Sequence, residues 1–498
     1  MSDIYKYIEK LINYGIYKEL IGSDDKIYVR NKILDILGLE GYDKVYLKKE
    51  KSENLQNILE YILDYAWEKG LLENNSSLYR DLLDTRIMDC LTPNPGVIIS
   101  DFKKRYNISP QKATSGFYKT SLDSNYIRKS RIAKNLFWKS KSKYGELEIT
   151  INLSKPEKDP KDIEAAKKNT QSSYPQCVLC KENEGYAGGI NHPARQNLRL
   201  IPLTLEEEKW YLQYSPYSYY REHCIVLCEE HRQMKIDIKT FKRLLSFTEQ
   251  FPHYFIGSNA DLPLVGGSIL SHDHFQGGRY TFPMENAKEH IKINLRKYPG
   301  IDAAVLYWPM SVLRLKGKNK DTLAKAANHI LEKWRKYSNK DLNIISSSRG
   351  ENHNTITPIT RIKKDKYEMD LVFRNNRKTQ EYPFGIFHPH KEYHHIKKEN
   401  IGLIEVMGRA ILPPRLKKEM DLLEECLKGN MEINECREIS NHKDWYLMIK
   451  EKYPDKNQNW KQILKKEIGI IYENILQDCA LFKNPEDLAF AVSQKLIR

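Results

Sequence analysis

The stretch that decides the fold is Gly266-Gly267-Ser268-Ile269-Leu270-Ser271-His272-Asp273-His274-Phe275-Gln276-Gly277-Gly278. His272, His274 and Gln276 stand at alternate positions behind a glycine-rich approach. Read as a β-strand, they share one face and form a row of two imidazoles and an amide, roughly 6–7 Å apart. Neutral imidazole is a nucleophile and a metal ligand near pH 7. The Gln276 amide donates to a phosphate oxygen but releases no proton. The row therefore suits phosphoryl or nucleotidyl transfer through a histidine-bound intermediate. A lone H-x-H would fit a histidine-rich turn without chemistry, but the flanks argue against that. Phe255 to Val265 reads as a short strand followed by a polar turn containing Asn259. Gly266 and Gly267 lack a Cβ, so backbone there can approach an anion closely. Ser268 adds a hydroxyl donor. Asp273 is expected on the opposite face of the strand, towards solvent.

Other chemistry-bearing residues lie outside this stretch. Cys177-Val178-Leu179-Cys180 is a C-x-x-C, a spacing that lets two thiolates grip one tetrahedral Zn²⁺. No second C-x-x-C follows, so two further ligands must come from elsewhere. Cys224 with Cys228 is one candidate pair and His231 with His272 is another. Arg128 and Arg131 can form a guanidinium pair for a phosphate or a basic helix surface. Arg195 and Arg199 have the same two readings. His388, His390, His394 and His395 form a dense imidazole cluster with no carboxylate at a diagnostic spacing, and His353 is a further candidate.

Composition narrows the class. At 498 residues the chain can bury one large core or two to three smaller ones. Hydrophobic content of 40% and charged content of 30% fit a soluble globular protein. No apolar run approaches the roughly 20 residues needed to span a bilayer. The first residues lack the apolar core of a signal peptide, so a cytoplasmic location is expected. The net charge of +15 raises a nucleic-acid reading. However, the lysines are spread along the chain and no nucleic-acid motif appears, so no nucleic acid and no membrane are expected as partners. A positive field also collects anionic sugar phosphates. The eight cysteines are expected as thiols or ligands, not disulfides.

Periodicity gives the organisation. Ile4, Ile8, Leu11, Ile12 and Ile16 recur at helical spacing, as do Leu55, Ile58, Leu59 and Ile62. Thr92-Pro93-Asn94-Pro95-Gly96 ends one helical unit. Glu146 to Leu153 alternates like a strand, and Lys158 to Lys168 reads as a charged helix. Ala303–Trp308 and Ser311–Leu315 read as paired strands. Thr322–Trp334 reads as a helix, and Asn352–Thr360 and Tyr367–Arg374 as strands. The tail from about 415 is mostly helical.

The H-x-H-x-Q pattern resembles the nucleotidyltransferase branch of the histidine-triad superfamily. The string from Asn259 through Gln276 to Arg279 resembles the galactose-1-phosphate uridylyltransferase family in its longer class II bacterial form. So do Asn125–Arg128 with Arg131–Asn135, Ile149–Pro160, Asn191–Arg199 and Phe387–Lys391. The resemblance implies an α+β fold. Two tandem histidine-triad-like antiparallel-sheet domains with helices would carry a helical N-terminal extension and a helical C-terminal tail. The expected division is 1–115 for the extension, 116–290 for the nucleotidyltransferase domain, 291–415 for the second triad-like domain and 416–498 for the tail.

The same resemblance implies transfer of UMP from UDP-glucose to galactose 1-phosphate, with His274 as nucleophile. Gln276 would stand where triad hydrolases place a third histidine. Asn259, Gly267, Ser268, Arg128, Arg131 and Arg195 would contact substrate. Carried over by motif, a structural zinc would sit on Cys177, Cys180, His231 and His272. Short-form members have proline where this chain has Asp273. A homodimer is expected, because the short-form site is completed by a neighbouring subunit. The rival readings are a histidine-triad enzyme acting on dinucleoside polyphosphates and a basic nucleic-acid-binding protein.

Overall fold

Apolar residues at helical spacing build the first region. The helix Ile4–Tyr17 buries Ile4, Ile8, Leu11 and Ile12, and the helix Leu55–Glu68 buries Ile58, Leu59, Ile62 and Leu63. Both stripes enter one core with Val29, Ile33, Ile87 and Met88. Asn54 caps the second helix, its side chain accepting from the Gln56 N–H at 3.1 Å. The breaker at Thr92–Gly96 separates the helix Ser77–Asp89 from the helix Pro95–Tyr106, which opens on proline.

The computed structural model describes residues 3–45, 54–154, 173–267, 269–455 and 458–497. It divides into two units, Met1–Ala133 with Ser154–Arg232, and Lys134–Leu153 with Gln233–Arg498. The expected charged helix at 158–168 lies outside the described residues. The first unit joins the N-terminal helices to the antiparallel strands Ile201–Leu205, Glu208–Tyr214 and Cys224–Cys228.

In the second unit, antiparallel strands run in the order His274–Gly278, Phe255–Gly257, Asn354–Lys363, Lys366–Asn375, Val312–Gly317, Ile301–Leu306 and Glu289–Ile293. Alternation gives this sheet two different faces. Ile356, Leu371, Phe373 and Leu313 pack one face into a core shared with Trp334 of the helix Lys320–Arg335 and Phe241 of the helix Ile238–Gln250. On the other face Asp370 meets Arg314 at 2.6 Å and Arg361 at 2.6 Å. The pairings Gln276–Gly257, Gly257–Ile359 and Ile359–Asp370 put Gln276, and His274 two residues before it, on that charged face.

A smaller sheet pairs Leu136–Ser142 antiparallel with Gly145–Ile151, which in turn pairs parallel with Arg409–Leu412. The first of these strands is not evident in the sequence, because its apolar residues do not alternate cleanly. The tail carries the helices Arg415–Lys428, Lys443–Lys452, Trp460–Asp478 and Pro485–Ala491. The class is α+β, as expected. The strands expected around 303–315, 352–360 and 367–374 and the helix at 322–334 are all present.

Candidate functional site

The strand that carries the deciding motif starts at His274, not at His272. His272 sits in the bend before it and is fully buried. The expected row of three therefore reduces to His274 and Gln276 on one face. The bend has a consequence for the ring. His274 Nδ1 lies 2.8 Å from the His272 carbonyl. A carbonyl only accepts, so Nδ1 carries the proton and the lone pair of the neutral ring is on Nε2. Burial pulls the His274 pKa down to about 4, against the opposing effect of that hydrogen bond. The ring is neutral at pH 7 and Nε2 is its nucleophilic atom. Asp273 is buried, 3.7 Å from Arg243, and does not face solvent as expected. A carboxylate in that setting needs a cation beside it.

Before the strand, the chain turns through Asn259 and the two glycines. Asn259 is buried, and its Oδ1 accepts from the Leu403 N–H at 2.9 Å. That bond fixes the amide, so Nδ2 is its free end. A Cβ on Gly267 would stand 2.8 Å from this Nδ2, and one on Gly266 would stand 2.2 Å from the Ala260 carbonyl. Only glycine permits these approaches. Ser268 lies outside the described residues.

In the first unit Arg128, Arg131 and Arg195 line one cavity of about 220 Å³ together with Tyr126, Tyr217 and Asn197. Arg128 pairs with Asp84 at 2.5 Å, and Arg131 makes a bidentate pair with Asp81. Both aspartates come from the helix Ser77–Asp89 of the region read from sequence as a plain extension. Burial pushes the Asp84 carboxyl up, against the pull of Arg128. Among the described residues Arg195 has no carboxylate partner. Its Nη1 donates to the Ala194 carbonyl at 3.2 Å and its guanidinium stands 5.8 Å from the Tyr126 ring centroid. Arg199, equivalent to Arg195 in sequence, instead donates to the carbonyls of Pro93, Gln196 and Leu198, each at 2.7 Å. It ties backbone segments together.

Cys177, Cys180 and His231 also gather in the first unit. The two sulfurs are 3.6 Å apart, and Cys180 Sγ is 3.2 Å from His231 Nδ1. Ligands about 2.3 Å from a tetrahedral zinc stand about 3.8 Å apart, so the thiol pair has the spacing of a metal chelate. Asn183 Nδ2 donates to the carbonyls of Cys177 and Cys180, at 2.8 and 2.7 Å, and closes the C-x-x-C turn. Burial, reinforced by the neighbouring Cys177, pushes the Cys180 thiol up to about 12. A cation would reverse that shift. This Cys/His cluster could bind a metal ion. Cys224 and Cys228, the other candidate pair, are buried in a strand opposite Tyr214 and Trp210 and take no part in it.

The cluster at 388–395 does not form a metal site among the described residues. Its ring nitrogens meet nearby carbonyls: His390 Nε2 meets that of Ile386, His394 Nε2 that of Pro389 and His395 Nδ1 that of Glu392. His353 lies between Asn376 and Ser348. Sequence reasoning passed over Asn183, Asp81, Asp84, Asn400 and Leu403. Asp81, Asp84, Asn400 and Leu403 matter through contacts more than 40 residues away, for which a single sequence carries no signal, and Asn183 through a local turn that its residue type does not announce.

Sequence comparison places the chain in a family. A profile for galactose-1-phosphate uridyl transferase, N-terminal domain, matches residues 19–233, and one for the C-terminal domain matches residues 247–447. The galactose-1-phosphate uridylyltransferase of Clostridium acetobutylicum is 52% identical over 480 residues, 96% of each chain. That of Bacillus subtilis is 49% identical over 489 residues, 96% of this chain and 94% of the other. Among solved structures, a yeast Ap4A phosphorylase aligns at 9% identity with a TM-score of 0.38, covering 74% of this chain and 95% of the other. The chain is an enzyme of the nucleotidyltransferase class. It belongs to the galactose-1-phosphate uridyl transferase family. No helix among the described residues is long and apolar enough to cross a membrane.

Proposed function

We propose that the protein transfers the uridylyl group from UDP-glucose to galactose 1-phosphate through a covalent intermediate on His274. The observation that carries this reading is the setting of that ring: it is neutral with the lone pair on Nε2, and it opens a strand behind two positions that tolerate no Cβ and the fixed Asn259 amide. In the first step Nε2 attacks the α-phosphorus, a P–N bond forms, and the P–O bond to glucose 1-phosphate breaks. In the second, a phosphate oxygen of galactose 1-phosphate attacks the same phosphorus and the histidine leaves, giving UDP-galactose. Phosphoryl centres need positioning and charge neutralisation more than bond-making help. Gln276, Asn259 Nδ2, the backbone at Gly267 and Ser268 are the proposed donors to phosphoryl oxygens. Because an amide cannot supply a proton to a leaving group, Gln276 favours transfer over hydrolysis.

Arg195 is the proposed anion contact of the first unit, with Arg128 and Arg131 beside it, held by their aspartates. Zinc is proposed on Cys177, Cys180, His231 and His272. The sulfur spacing and the complete burial of His272 support this set, and bound there zinc would cross-link the segments that carry the four ligands. The division at about 116, 290 and 415 and assembly as a homodimer belong to the same reading.

The test is incubation with UDP-glucose labelled at the α-phosphorus, without acceptor. Label should remain on the protein in an acid-labile, base-stable form, as a phosphoramidate does, and be absent from His274→Ala. Label that persists in that variant, or sequential kinetics with no labelled protein, would overturn the proposal.

A further inference from the structure

The segment Lys397–Glu405 is far in sequence from the glycine turn, yet it makes two bonds to it. Asn400 Nδ2 donates to the Gly266 carbonyl. The Leu403 N–H donates to Asn259 Oδ1 at 2.9 Å, the contact that turns Asn259 Nδ2 towards Gly267. Leu403 itself packs over Gly257, where an added Cβ would meet its side chain at 2.8 Å.

The segment is in turn fastened from behind. Lys397 Nζ reaches Glu405 Oε1 at 2.8 Å, with both residues buried. Glu405 Oε2 accepts from the Gly402 N–H at 2.9 Å, and the Glu405 carbonyl accepts from the Tyr472 hydroxyl at 2.7 Å. Arg374, on the sheet and buried, donates from Nη2 to the Ile401 carbonyl at 2.8 Å. Its Nη1 has no protein partner among the described residues. Burying a guanidinium without a carboxylate is costly. Its contact with Ile401 is what the fold obtains from an arginine at this place.

We infer that Lys397–Glu405 is a positioning strap that holds Asn259 and the Gly266–Gly267 peptides in donor geometry before the sugar nucleotide arrives, with Asn400 and Arg374 as its positioning residues. The inference rests on the reading of Asn259 and Gly267 as phosphate donors given above. Donors fixed in advance cost no reorganisation during reaction. Without Asn400 the Gly266 carbonyl loses its side-chain partner, and only the backbone bridge from Gly266 to Ala260 still holds peptides that have no side chains of their own. A misplacement of about 1 Å at such a site costs on the order of 100-fold in rate.

A double-mutant cycle on Asn400→Ala and Asn259→Ala in the full chain tests this, read as the rate of enzyme uridylylation by UDP-glucose. Each single variant should lose roughly 10- to 100-fold, with the thermal midpoint of Asn400→Ala within about 3 °C of the parent. The double variant should fall no more than about threefold below Asn259→Ala, because both act through one turn. Arg374→Met, which keeps the volume, should lower the same rate while the midpoint stays or rises. A parental rate in Asn400→Ala, losses that multiply in the double variant, or a rate that falls only in step with melting would overturn the strap. A parental rate in Asn259→Ala would instead remove the donor reading on which it rests.

Discussion

Two stretches of the second unit are dense in histidine, 272–276 and 388–395, and the state of the ring does not tell them apart. His274 and His388 are both buried, both set Nδ1 against a local carbonyl, and burial pulls both down to about 4. The difference lies in what surrounds the ring. His274 opens a strand behind two positions that tolerate no Cβ and a fixed amide, a setting that admits an anion. His388 stacks on Phe384 and has Lys397, Arg374 and His394 as charged or titratable neighbours, in a turn closed by its own carbonyls. Imidazole chemistry is thus assigned by the backbone and by the neighbouring donors, not by counting histidines or by their protonation alone.

The strongest way to break this comparison is to remove each ring. His274→Ala should lower uridylyl transfer by at least about 10³-fold, and His388→Ala by less than about tenfold, in a coupled assay with UDP-glucose and galactose 1-phosphate. Equal losses would erase the distinction. The next largest effect concerns metal. Protein purified without chelator should carry about one zinc per chain by elemental analysis, and Cys177→Ser should lose it together with several degrees of thermal midpoint. Active, metal-free protein of unchanged midpoint would contradict the ligand set.

Backbone geometry comes third. Gly267→Ala places a methyl 2.8 Å from Asn259 Nδ2 and should lower kcat about 10- to 100-fold, while Gly385→Ala, three residues before His388 and at a positive φ of 123°, should cost stability but leave kcat within about twofold. Steady-state kinetics on the two variants decide it.

The smallest effect is on stability and belongs to His388. Its folded pKa lies below the unfolded value, so above pH 6.5 both states are neutral and it contributes no pH dependence. As pH falls from 6.5 towards 4 the unfolded chain takes up a proton that the folded chain refuses, and stability declines. Between pH 6.5 and 5 this amounts to about 1.5 kcal/mol, which His388→Asn should largely remove from urea-denaturation midpoints compared at the two pH values. An unchanged pH slope would mean that the ring is protonated in the fold.

How much was legible in sequence follows from how far each signal reaches. Helical stripes such as Ile4, Ile8 and Leu11 and alternating strands such as Tyr367–Arg374 are local patterns, and the structure has them where the spacing put them. Motifs of a few residues were legible for the same reason: the H-x-H-x-Q string, the paired glycines and the C-x-x-C are defined by residue types at short spacing. The Leu136–Ser142 strand was not, because its pairing with a neighbour outweighs its own weak alternation. Nor was the shortening of the histidine row, since where a strand begins depends on the strand it pairs with.

The sequence by itself determined the class of fold, the family and the kinds of group that do the chemistry. Tertiary structure alone decided that Asp273 is buried beside Arg243, that Arg199 reaches back to Pro93 where Arg195 does not, that Asn400 and Leu403 bond to Gly266 and Asn259, and that Arg374 bonds to Ile401 behind them. Those outcomes depend on contacts between segments 27 to 144 residues apart. In such contacts, burial and hydrogen-bond satisfaction are set by the partner, not by the residue itself.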